Sequence, residues 1–293
     1  MTSICFLNCK EGEKGILNMS RTTKISVGSI QVTALRDGEL YLPKEALVNL
    51  REEDAATINN SENSALIYGN VNAYLIQSAN RNLLIDAGCR ELFGPTCGFL
   101  QDAIKETGLE LRDITDLFFT HLHPDHIAGA ISTGGMAVFE NAALQVLESE
   151  HNFWTTNNFD PIEVNGADWA NLASDVLGAY NDKKEIISFT KDLIPGVSLL
   201  SIPGHTPGHS GFRVDSDNQA LVHLGDIIHA PNLQLNDPNA STIFDIDSGE
   251  ALNSRKKMLD RVSTDRVMCT SGHTLEPKFG FIEKHATGYK FTA

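Results

Sequence analysis

Apolar and polar residues alternate in several short segments of the chain, and this period of two predicts β-strands. KISVGSIQVTALRDG contains a Gly-Ser turn, and NAYLIQSANRNLLIDAG consists of two apolar runs joined through Ala79-Asn80, so both segments predict β-hairpins. SGFRVDSDNQALVHLGD predicts a third hairpin that turns at residues 216–218. Three further apolar segments, ITDLFFT, VSLLSIPG and DRVMCTSGH, predict single strands, and we expect the third to be the last strand of the chain.

Helical spacing of apolar residues appears between these strands. TCGFLQDAIKETG has a Thr start and a Gly stop, GEALNSRKKMLDRV is amphipathic, and residues 140–195 are expected to be mostly helical. Residues 43–65 are polar and irregular and are interpreted as a flap. The sequence contains no linker and no repeat. Strands come first, then helices, then strands and helices again, and this order of elements favours one α/β domain, at residues 25–293, with two sheets covered by helices. Because Met19 resembles a natural start, residues 1–18 are interpreted as a poorly ordered extension, and with the domain beginning at residue 25 the N-terminal extension is placed at residues 1–24.

Composition and charge narrow the classes of function. The hydrophobic fraction of 41% and the charged fraction of 21% are typical of a soluble globular protein, and no run of about 18 apolar residues predicts a membrane span. A formal net charge of -15 disfavours nucleic acid and anionic membranes as partners, since both attract basic surfaces. With few, scattered cysteines and no signal-peptide pattern, we expect a cytoplasmic protein. The sequence leaves the oligomeric state open, with a homodimer among the states it allows.

Three of the ten histidines lie within THLHPDHIAG, at residues 120–129, directly after the predicted strand ITDLFFT. In an extended segment, residues two apart point the same way, so His121 and His123 can reach one metal ion. Asp125 and His126 belong to the following turn and can bind a second ion close to the first. This density of ligands after a strand favours a metal site over a surface helix start that is merely capped by the aspartate.

Three more candidate ligands stand at later predicted strand ends, and a glycine precedes each of them. They are His205 in PGHTPGH, Asp226 in LGDIIH and His273 in TSGHTLEP. Glycine lets the backbone turn sharply and approach a site closely. Together with the first cluster, these residues supply two ligand sets with one carboxylate left to bridge them.

The motifs THLHPDH, GHTPGHS, GD and the late GH, in this order, resemble the signature of the metallo-β-lactamase superfamily over roughly residues 25–280. The resemblance implies an αββα sandwich of two mixed β-sheets flanked by helices, with a two-metal site at one edge of the paired sheets. It implies two divalent ions, which we expect to be zinc. The implied ligands are His121, His123 and His205 for the first ion and Asp125, His126 and His273 for the second, with Asp226 as the bridge.

The resemblance also implies residues that support the ligands or act in the reaction. Asp86 in LLIDAG matches the superfamily's aspartate that orients ligands, and His209 is expected to support the site without binding metal. Two ions that share a water would generate a bridging hydroxide as the nucleophile. Asp125 or Asp226 would then pass a proton to the leaving alkoxide.

Departures from other branches of the superfamily narrow the reaction. β-Lactamases carry a cysteine where this chain has Asp226, and the flavo-diiron branch carries a glutamate where it has His123. Antibiotic hydrolysis and O2 reduction are therefore disfavoured. The acidic composition speaks against nucleases, and no Lys/Arg cluster stands beside a ligand to bind the carboxylates of a glutathione thioester.

A narrower resemblance links the chain to the branch that holds methyl parathion hydrolase and related lactonases. It is carried by ELFGPTCGFLQDAIKETGLELRDITDLFFTHLHPDHIAG and by LGDIIH. It implies hydrolysis of a lactone or neutral ester, as in a quorum-quenching lactonase, with an organophosphate triester as the alternative. Acyl-homoserine lactonases usually place a tyrosine three residues after the bridging aspartate, where this chain has His229. His229 is thus a candidate to donate the same hydrogen bond, and a supporting or surface position is its alternative.

The substrate pocket is expected between the 140–180 region and the flap. Phe153, Trp154, Phe159 and Trp169 are candidates to line it, with ordinary core packing as the alternative. Trp169 is expected to belong to the core, and Phe153 and Trp154 stay open between the two positions. An alternative from another class is a metal-binding sensor or partner protein that performs no hydrolysis.

Overall fold

Two β-sheets and the helices that cover them are built from the described residues of the chain. The computed structural model describes residues 20–55, 66–156, 163–164, 167–276 and 278–293. In chain order the strands are β1 Thr22–Val27, β2 Ile30–Pro43, β3 Leu47–Val48, β4 Leu66–Ser78, β5 Arg81–Ile85, β6 Asp116–Phe118, β7 Ala143–Leu147, β8 Glu163–Val164, β9 Ala167–Asp168, β10 Lys184–Ile187, β11 Val197–Ser201, β12 Ser210–Ser216, β13 Gln219–His223, β14 Ser241–Thr242, β15 Met268–Thr270, β16 Phe281–His285 and β17 Gly288–Thr292. The α-helices are α1 Leu100–Glu106, α2 Pro124–Ile127, α3 Glu148–Thr155, α4 Trp169–Ala179, α5 Pro231–Gln234 and α6 Ser248–Asp265.

Both main sheets mix parallel and antiparallel pairs. The larger sheet has the strand order β1-β2-β4-β5-β6-β7-β10, antiparallel as far as β5 and parallel from β5 onwards. The smaller sheet has the order β11-β12-β13-β15, with two antiparallel pairs followed by the parallel pair β13-β15. The prediction of two mixed sheets is therefore confirmed.

Apolar side chains pack between the facing surfaces of the two sheets. On β5 of the larger sheet, Leu83 and Ile85 join this interior layer, while Leu84 between them packs with the helices on the opposite face. Phe212 and Val214 come from the smaller sheet. Because successive side chains of a strand point to opposite faces, a strand buried on both faces is apolar throughout.

Helices cover the outer faces of both sheets. The layer outside the larger sheet includes Ile104 of α1 and Val176 of α4, and the layer outside the smaller sheet includes Met258 and Val262 of α6. The order helix, sheet, sheet, helix confirms the αββα sandwich. Among the described helices, none is long and apolar enough to cross a membrane.

The three predicted hairpins are confirmed, and their turn residues explain them. The turn between β12 and β13 has Asp217 and Asn218 in the left-handed region, at φ values of 50° and 61°. Aspartate and asparagine tolerate this conformation, which a two-residue hairpin turn requires. The first strand begins at Thr22, ahead of the predicted domain start at residue 25, and residues 1–19 lie outside the described chain.

Two predictions of local structure are wrong in detail. Helix α1 begins at Leu100, and the expected cap residue, Thr96, instead donates its hydroxyl to the backbone oxygen of Glu39 at 2.8 Å. The region 140–195 contains the parallel strands β7 and β10 in addition to helices, with Val146 paired to Ile186. Short apolar strands beside helices give spacings that resemble one continuous helical pattern.

The chain also continues in regular structure after DRVMCTSGH. That segment forms β15 as predicted, but the hairpin β16-β17 follows it, so β15 is not the last strand. Ile282 and Phe291 of the hairpin pack with the apolar layer beneath α6. The predicted flap at 43–65 is described as far as residue 55, and its strand β3 pairs with β14.

Candidate metal centre

The candidate ligands all follow strand ends, and the fold brings them together. After β6 the chain enters the histidine cluster, where His123 precedes the short helix α2 and Pro124 opens that helix. Proline suits the first position of a helix because its missing N–H has no partner there. His205 follows β11, Asp226 follows β13 and His273 follows β15, so one segment of the larger sheet meets three of the smaller.

The seven predicted ligands form two groups whose nitrogen and oxygen atoms lie within 4.8 Å of one another inside each group. The first group is His121, His123 and His205, and the second is Asp125, His126, Asp226 and His273. All of them are buried except Asp125, which is partly exposed. The structure thus brings together every residue that the sequence marked as a ligand.

Asp226 lies between the two groups. Its Oδ2 atom is 2.8 Å from Nε2 of His273 and 3.1 Å from Nε2 of His126, both in the second group. The same oxygen is 3.9 Å from Nε2 of His121 and 3.8 Å from Nε2 of His205, both in the first group. One carboxylate can therefore reach two ions held by the two groups.

Buried polar atoms without partners indicate that these residues fit metal ions. Nε2 of His121 and Oδ1 of Asp226 are both buried, and neither has a hydrogen-bond partner among the described residues. A buried polar atom without a partner lowers the free energy of unfolding by about 1–3 kcal/mol. Two such atoms in one cluster therefore indicate that a ligand binds there. Imidazole and carboxylate donors in groups of three and four suit zinc or a similar divalent ion.

Glycine allows the backbone to approach the cluster, as the sequence predicted. A Cβ atom on Gly272 would lie 2.5 Å from Oδ1 of Asp226 and 3.2 Å from Cε1 of His126. Gly225 has a positive φ of 52°, and a Cβ there would lie 2.4 Å from Nε2 of His209. Any side chain at either position would displace the candidate ligands or their neighbours.

Burial and neighbouring charges tune the two groups differently. Burial lowers the pKa of His121 and His123 well below 6.5 and that of His205 to about 3, so these rings are held in the neutral form that binds metal. Burial would raise the pKa of Asp226, but the charges of His126 and His273 outweigh it and hold that pKa well below its ordinary value.

Asp86 connects the histidine cluster to the end of β5. Its Oδ1 accepts a hydrogen bond from the backbone N–H of Thr120 at 2.8 Å, and its Oδ2 is 2.9 Å from Nδ1 of His126. The residue adopts a left-handed conformation with φ of 62°, which is uncommon for a residue with a side chain. These contacts orient His126 and hold the turn that leads into His121.

His209 and His273 both make hydrogen bonds to backbone groups, and these bonds decide which ring nitrogens are free to bind a metal ion. Nδ1 of His209 is 2.9 Å from the backbone oxygen of Ile202, and Nε2 of His209 accepts a hydrogen bond from the backbone N–H of Asp226 at 2.8 Å. His209 therefore has no nitrogen left for a metal ion. Nδ1 of His273 is 2.7 Å from the backbone oxygen of Asn70, which leaves its Nε2 for the cluster.

Two buried carboxyl groups support the site and were not identified from the sequence. Asp245 contacts His205, with Oδ1 2.9 Å from Nδ1 of the ring. Glu150 accepts hydrogen bonds from the backbone N–H groups of Leu122 and Gly208, at 2.9 Å and 3.0 Å. Neither belongs to a motif, and the chain has 38 acidic residues, so no local signal distinguishes these two.

A pocket opens next to the ligand cluster. Its apolar side is formed by Leu40, Leu42, Phe93, Trp169 and Phe244, and its polar side by His123, Asp125, His205, Asp226, His229 and His273. Among the described residues that line it there is no lysine or arginine.

Trp169 is buried in the apolar core, as expected, and it also lines this pocket, whereas the candidate lining residues Phe153 and Trp154 are not among the residues that line it. Trp154 is buried on α3. The polar edge of its ring faces Glu150, to which it donates its Nε1–H at 2.7 Å. Phe153 is only partly buried and packs on the helical layer. Phe159 lies outside the described residues.

His229 faces both the pocket and the ligand cluster. Its Nε2 is 3.5 Å from Oδ2 of Asp226, and its ring stacks on that of His273, with the centroids 5.2 Å apart and the planes inclined by 28°. Burial lowers the pKa of His229 well below 6.5, so the ring is neutral and can donate one hydrogen bond. Its ligand atoms also lie within 4.8 Å of those of His205 and Asp226, so the geometry permits metal binding as well.

Known proteins resemble this chain in sequence and in fold. The model of the metallo-beta-lactamase superfamily matches residues 66–132, which include the THLHPDH motif. An N-acyl homoserine lactonase of a Bacillus species is 29% identical over 177 residues, which cover 60% of this chain and 62% of the lactonase. The chain thus spans less than two thirds of that relative.

Two further relatives are matched over most of their length. The N-acyl homoserine lactonase of Bacillus cereus is 27% identical over 244 residues, which cover 75% of this chain and 89% of that protein. The solved structure of AidC, a dizinc quorum-quenching lactonase in complex with a product, has a TM-score of 0.83 at 26% identity. That match covers 94% of this chain and 98% of AidC.

Proposed function

Since this chain is a member of the metallo-β-lactamase superfamily, we propose that it is a dizinc hydrolase that opens the ring of a lactone such as an N-acyl homoserine lactone, or cleaves a similar neutral ester. The observation that carries the proposal is the convergence of seven histidine and aspartate side chains around Asp226, beside a pocket with an apolar side.

The donor set supports two zinc ions. His121, His123 and His205 would hold one ion, Asp125, His126 and His273 would hold the other, and Asp226 would touch both. When bound, the ions supply an activated water and a Lewis acid for the carbonyl oxygen. The solved relative AidC is a dizinc enzyme, and the mixture of imidazole and carboxylate donors here suits the same metal.

Asp125 and His229 are proposed to handle the proton and the developing charge. Asp125 lines the pocket, with Oδ2 3.4 Å from Nε2 of His126. Burial would raise the pKa of Asp125, but the charges of His126 and His273 keep it below its ordinary value, so the group is ionised and has an oxygen that can accept a proton. It would take a proton from the attacking water and pass it to the alkoxide that leaves when the ester C–O bond breaks.

His229 would donate a hydrogen bond to the oxygen that becomes negative. It lines the pocket from the side of Asp226, and its neutral ring carries one N–H. A donor that is fixed before the reaction stabilises the transition state without having to reorganise. This is the contribution that a tyrosine makes in the lactonase pattern that the sequence resembles.

The lining of the pocket supports a neutral substrate. Described lining residues include five apolar side chains and no lysine or arginine, so an acyl chain has a contact surface and an anionic group has no counter-ion except the metals. An organophosphate triester is also neutral and is the second candidate. A cytoplasmic location, a homodimer, and the absence of nucleic-acid and membrane partners remain predictions.

A substrate panel with zinc-loaded protein tests the proposal. It contains N-hexanoyl homoserine lactone, a neutral aryl ester, an organophosphate triester and a phosphodiester, with chelator-treated protein as the control. A pH indicator follows the acid released from the lactone and the ester. We expect the lactone or the ester to be the fastest substrate. Protein that binds two zinc ions and hydrolyses none of the panel would instead favour the sensor or partner protein.

A further inference from the structure

Asp245 lies next to the metal centre without belonging to either ligand group. Its side chain is fully buried, and its Oδ1 is 2.9 Å from Nδ1 of His205. Its Oδ2 is 3.6 Å from Nη2 of Arg255 on α6, and the side chain of that arginine is also fully buried. The carboxyl group is thus placed between a candidate ligand and a guanidinium.

The backbone around Asp245 is joined to the segment that carries His205. The N–H of Ile246 donates to the backbone oxygen of His205 at 3.1 Å, and the N–H of Asp247 donates to that of Gly204 at 2.8 Å. The contact between Asp245 and the imidazole is therefore a third link between the same two segments. These backbone bonds hold the carboxyl group in register with the ring.

Arg255 is itself tied to the backbone near the site. Its Nε donates to the oxygen of Ile227, the residue after Asp226, at 2.5 Å, and its Nη1 donates to the oxygen of Pro238 at 3.1 Å. A buried guanidinium is costly to desolvate unless a carboxylate lies close to it. Asp245 provides that carboxylate, and Oδ2 also accepts a hydrogen bond from the backbone N–H of Thr242 at 3.4 Å, so Oδ1 is left to face His205.

We propose that Asp245 is a positioning residue that orients His205 for metal binding, an inference that rests on the proposed function. By accepting the Nδ1–H of His205, it selects the tautomer whose Nε2 carries the lone pair. That Nε2 faces the cluster, 2.9 Å from Nδ1 of His123 and 3.8 Å from Oδ2 of Asp226. Loss of a partner behind a ligating histidine typically costs about 10–100-fold in metal affinity.

Phe244, the residue before Asp245, provides a way to separate the orientation of His205 by Asp245 from a general displacement of the loop that carries both residues. Phe244 lines the pocket, and its ring lies 6.3 Å from that of Trp169 at an interplanar angle of 28°. A variant that merely displaced the loop would move this aromatic wall and change KM. A variant that only released His205 would change metal affinity and kcat.

The test compares Asp245→Ala and Asp245→Asn with the control Asp116→Asn. Asp116 is an equally buried carboxyl that pairs with Arg81 at the start of β6 and contacts no candidate ligand. Zinc affinity is measured by competition with a chromogenic chelator, and the Co2+-loaded proteins are compared by their visible spectra. Thermal unfolding is recorded with and without zinc, so that binding and folding are measured separately.

We expect Asp245→Ala to weaken zinc binding by about 10–100-fold and to change the cobalt spectrum. Asp245→Asn should restore part of the affinity, because its amide oxygen can still accept from Nδ1. Asp116→Asn should lower the Tm without changing either metal readout. If Asp245→Ala does not fold, Asp245→Asn is compared with Asp116→Asn, and a loss of affinity specific to Asp245→Asn supports the proposal.

Unchanged zinc affinity and an unchanged cobalt spectrum in the folded variants would overturn the role of Asp245, even if their metal-free Tm fell. An increase in KM alone would likewise assign Asp245 to the loop and not to the ligand. A wild-type protein that binds no zinc would instead contradict the proposed function itself.

Discussion

The backbone N–H of Asp226 donates a hydrogen bond to Nε2 of His209 at 2.8 Å, so this histidine fixes the backbone conformation at the metal centre. Its other nitrogen is 2.9 Å from the backbone oxygen of Ile202. Burial lowers the pKa of His209 to about 4, which keeps the ring in the neutral form that can accept at Nε2. His209 and Asp226 therefore lie side by side but should respond differently to substitution.

His209→Ala should reduce stability more than metal content. The variant leaves the buried N–H of Asp226 without its acceptor, which costs about 1–3 kcal/mol. We expect a lower Tm for the metal-free protein, two metals per chain at saturating zinc, and measurable hydrolysis. Metal analysis and thermal unfolding check this expectation. A variant that holds only one metal at saturation would show that His209 is a ligand.

Asp226→Ala should abolish hydrolysis and leave the fold largely intact. Oδ2 of this residue lies within 4 Å of imidazole nitrogens from both ligand groups, so its removal takes away the atom that joins them. Circular dichroism of the metal-free protein should match that of the wild type, while bound metal falls below two per chain. Normal turnover by this variant would refute the bridging assignment.

The wild-type protein should bind two divalent ions per chain, and their removal should destabilise it. Orphaned atoms such as Nε2 of His121 gain partners only when a ligand enters the cluster. We expect mass spectrometry to find about two zinc ions per chain. Tm should rise with zinc concentration, because an ion that binds the folded state shifts the equilibrium towards it. A stoichiometry that never exceeds one after zinc supplementation would exclude a two-metal site.

Glu150→Gln should lower the stability of the protein by breaking a hydrogen bond that holds the backbone beside the histidine cluster. Oε1 of Glu150 accepts from Leu122 and Trp154, and Oε2 accepts from Thr206 and Gly208, at distances of 2.7–3.0 Å. An amide replaces one oxygen with NH2, and the favoured orientation places this NH2 on the side of Thr206, whose hydroxyl can accept from it. The backbone N–H of Gly208 would then face another donor, and the expected loss is about 1–3 kcal/mol for that unpaired group.

Chemical denaturation of the metal-free Glu150→Gln variant measures this loss directly. Asp182→Asn, a change of a carboxyl to an amide in an exposed stretch of the chain, is the matched control and should leave stability nearly unchanged. Equal stability of Glu150→Gln and the wild type would show that the hydrogen bond from Gly208 contributes little.

The ligands could be predicted from the sequence because their geometry is local. In THLHPDH, neighbouring positions along the chain fix the relative directions of four side chains, and the later ligands each follow a strand and a glycine. Asp245 and Glu150 had no such signal. Their partners lie 40 and 56 positions away, at His205 and Thr206, and only the packing of the two sheets brings them together.

The pocket residues were predicted less well for a similar reason. The composition of the 140–180 region identifies apolar aromatic residues, but it does not say which face of a helix meets the site. Trp154 is buried and donates its ring N–H to Glu150, while Trp169 at the start of α4 packs in the same apolar layer and also lines the pocket. The hairpins were predictable because turn residues and strand alternation are properties of adjacent positions.

His229→Ala should lower kcat strongly while metal content stays at two per chain. Nε2 of His229 lies 3.5 Å from Oδ2 of Asp226, inside the pocket, and the ring is neutral because burial lowers its pKa. A donor at this point can stabilise the developing oxyanion or protonate the leaving oxygen, a contribution of about 10²–10⁴-fold. His229→Tyr should recover part of the rate on lactones, because a phenol donates the same kind of hydrogen bond. Steady-state kinetics and metal analysis on the same preparations separate the outcomes. Loss of one metal in His229→Ala would make His229 a ligand, as its proximity to His205 also permits, and an unchanged kcat would leave it without a role in the reaction.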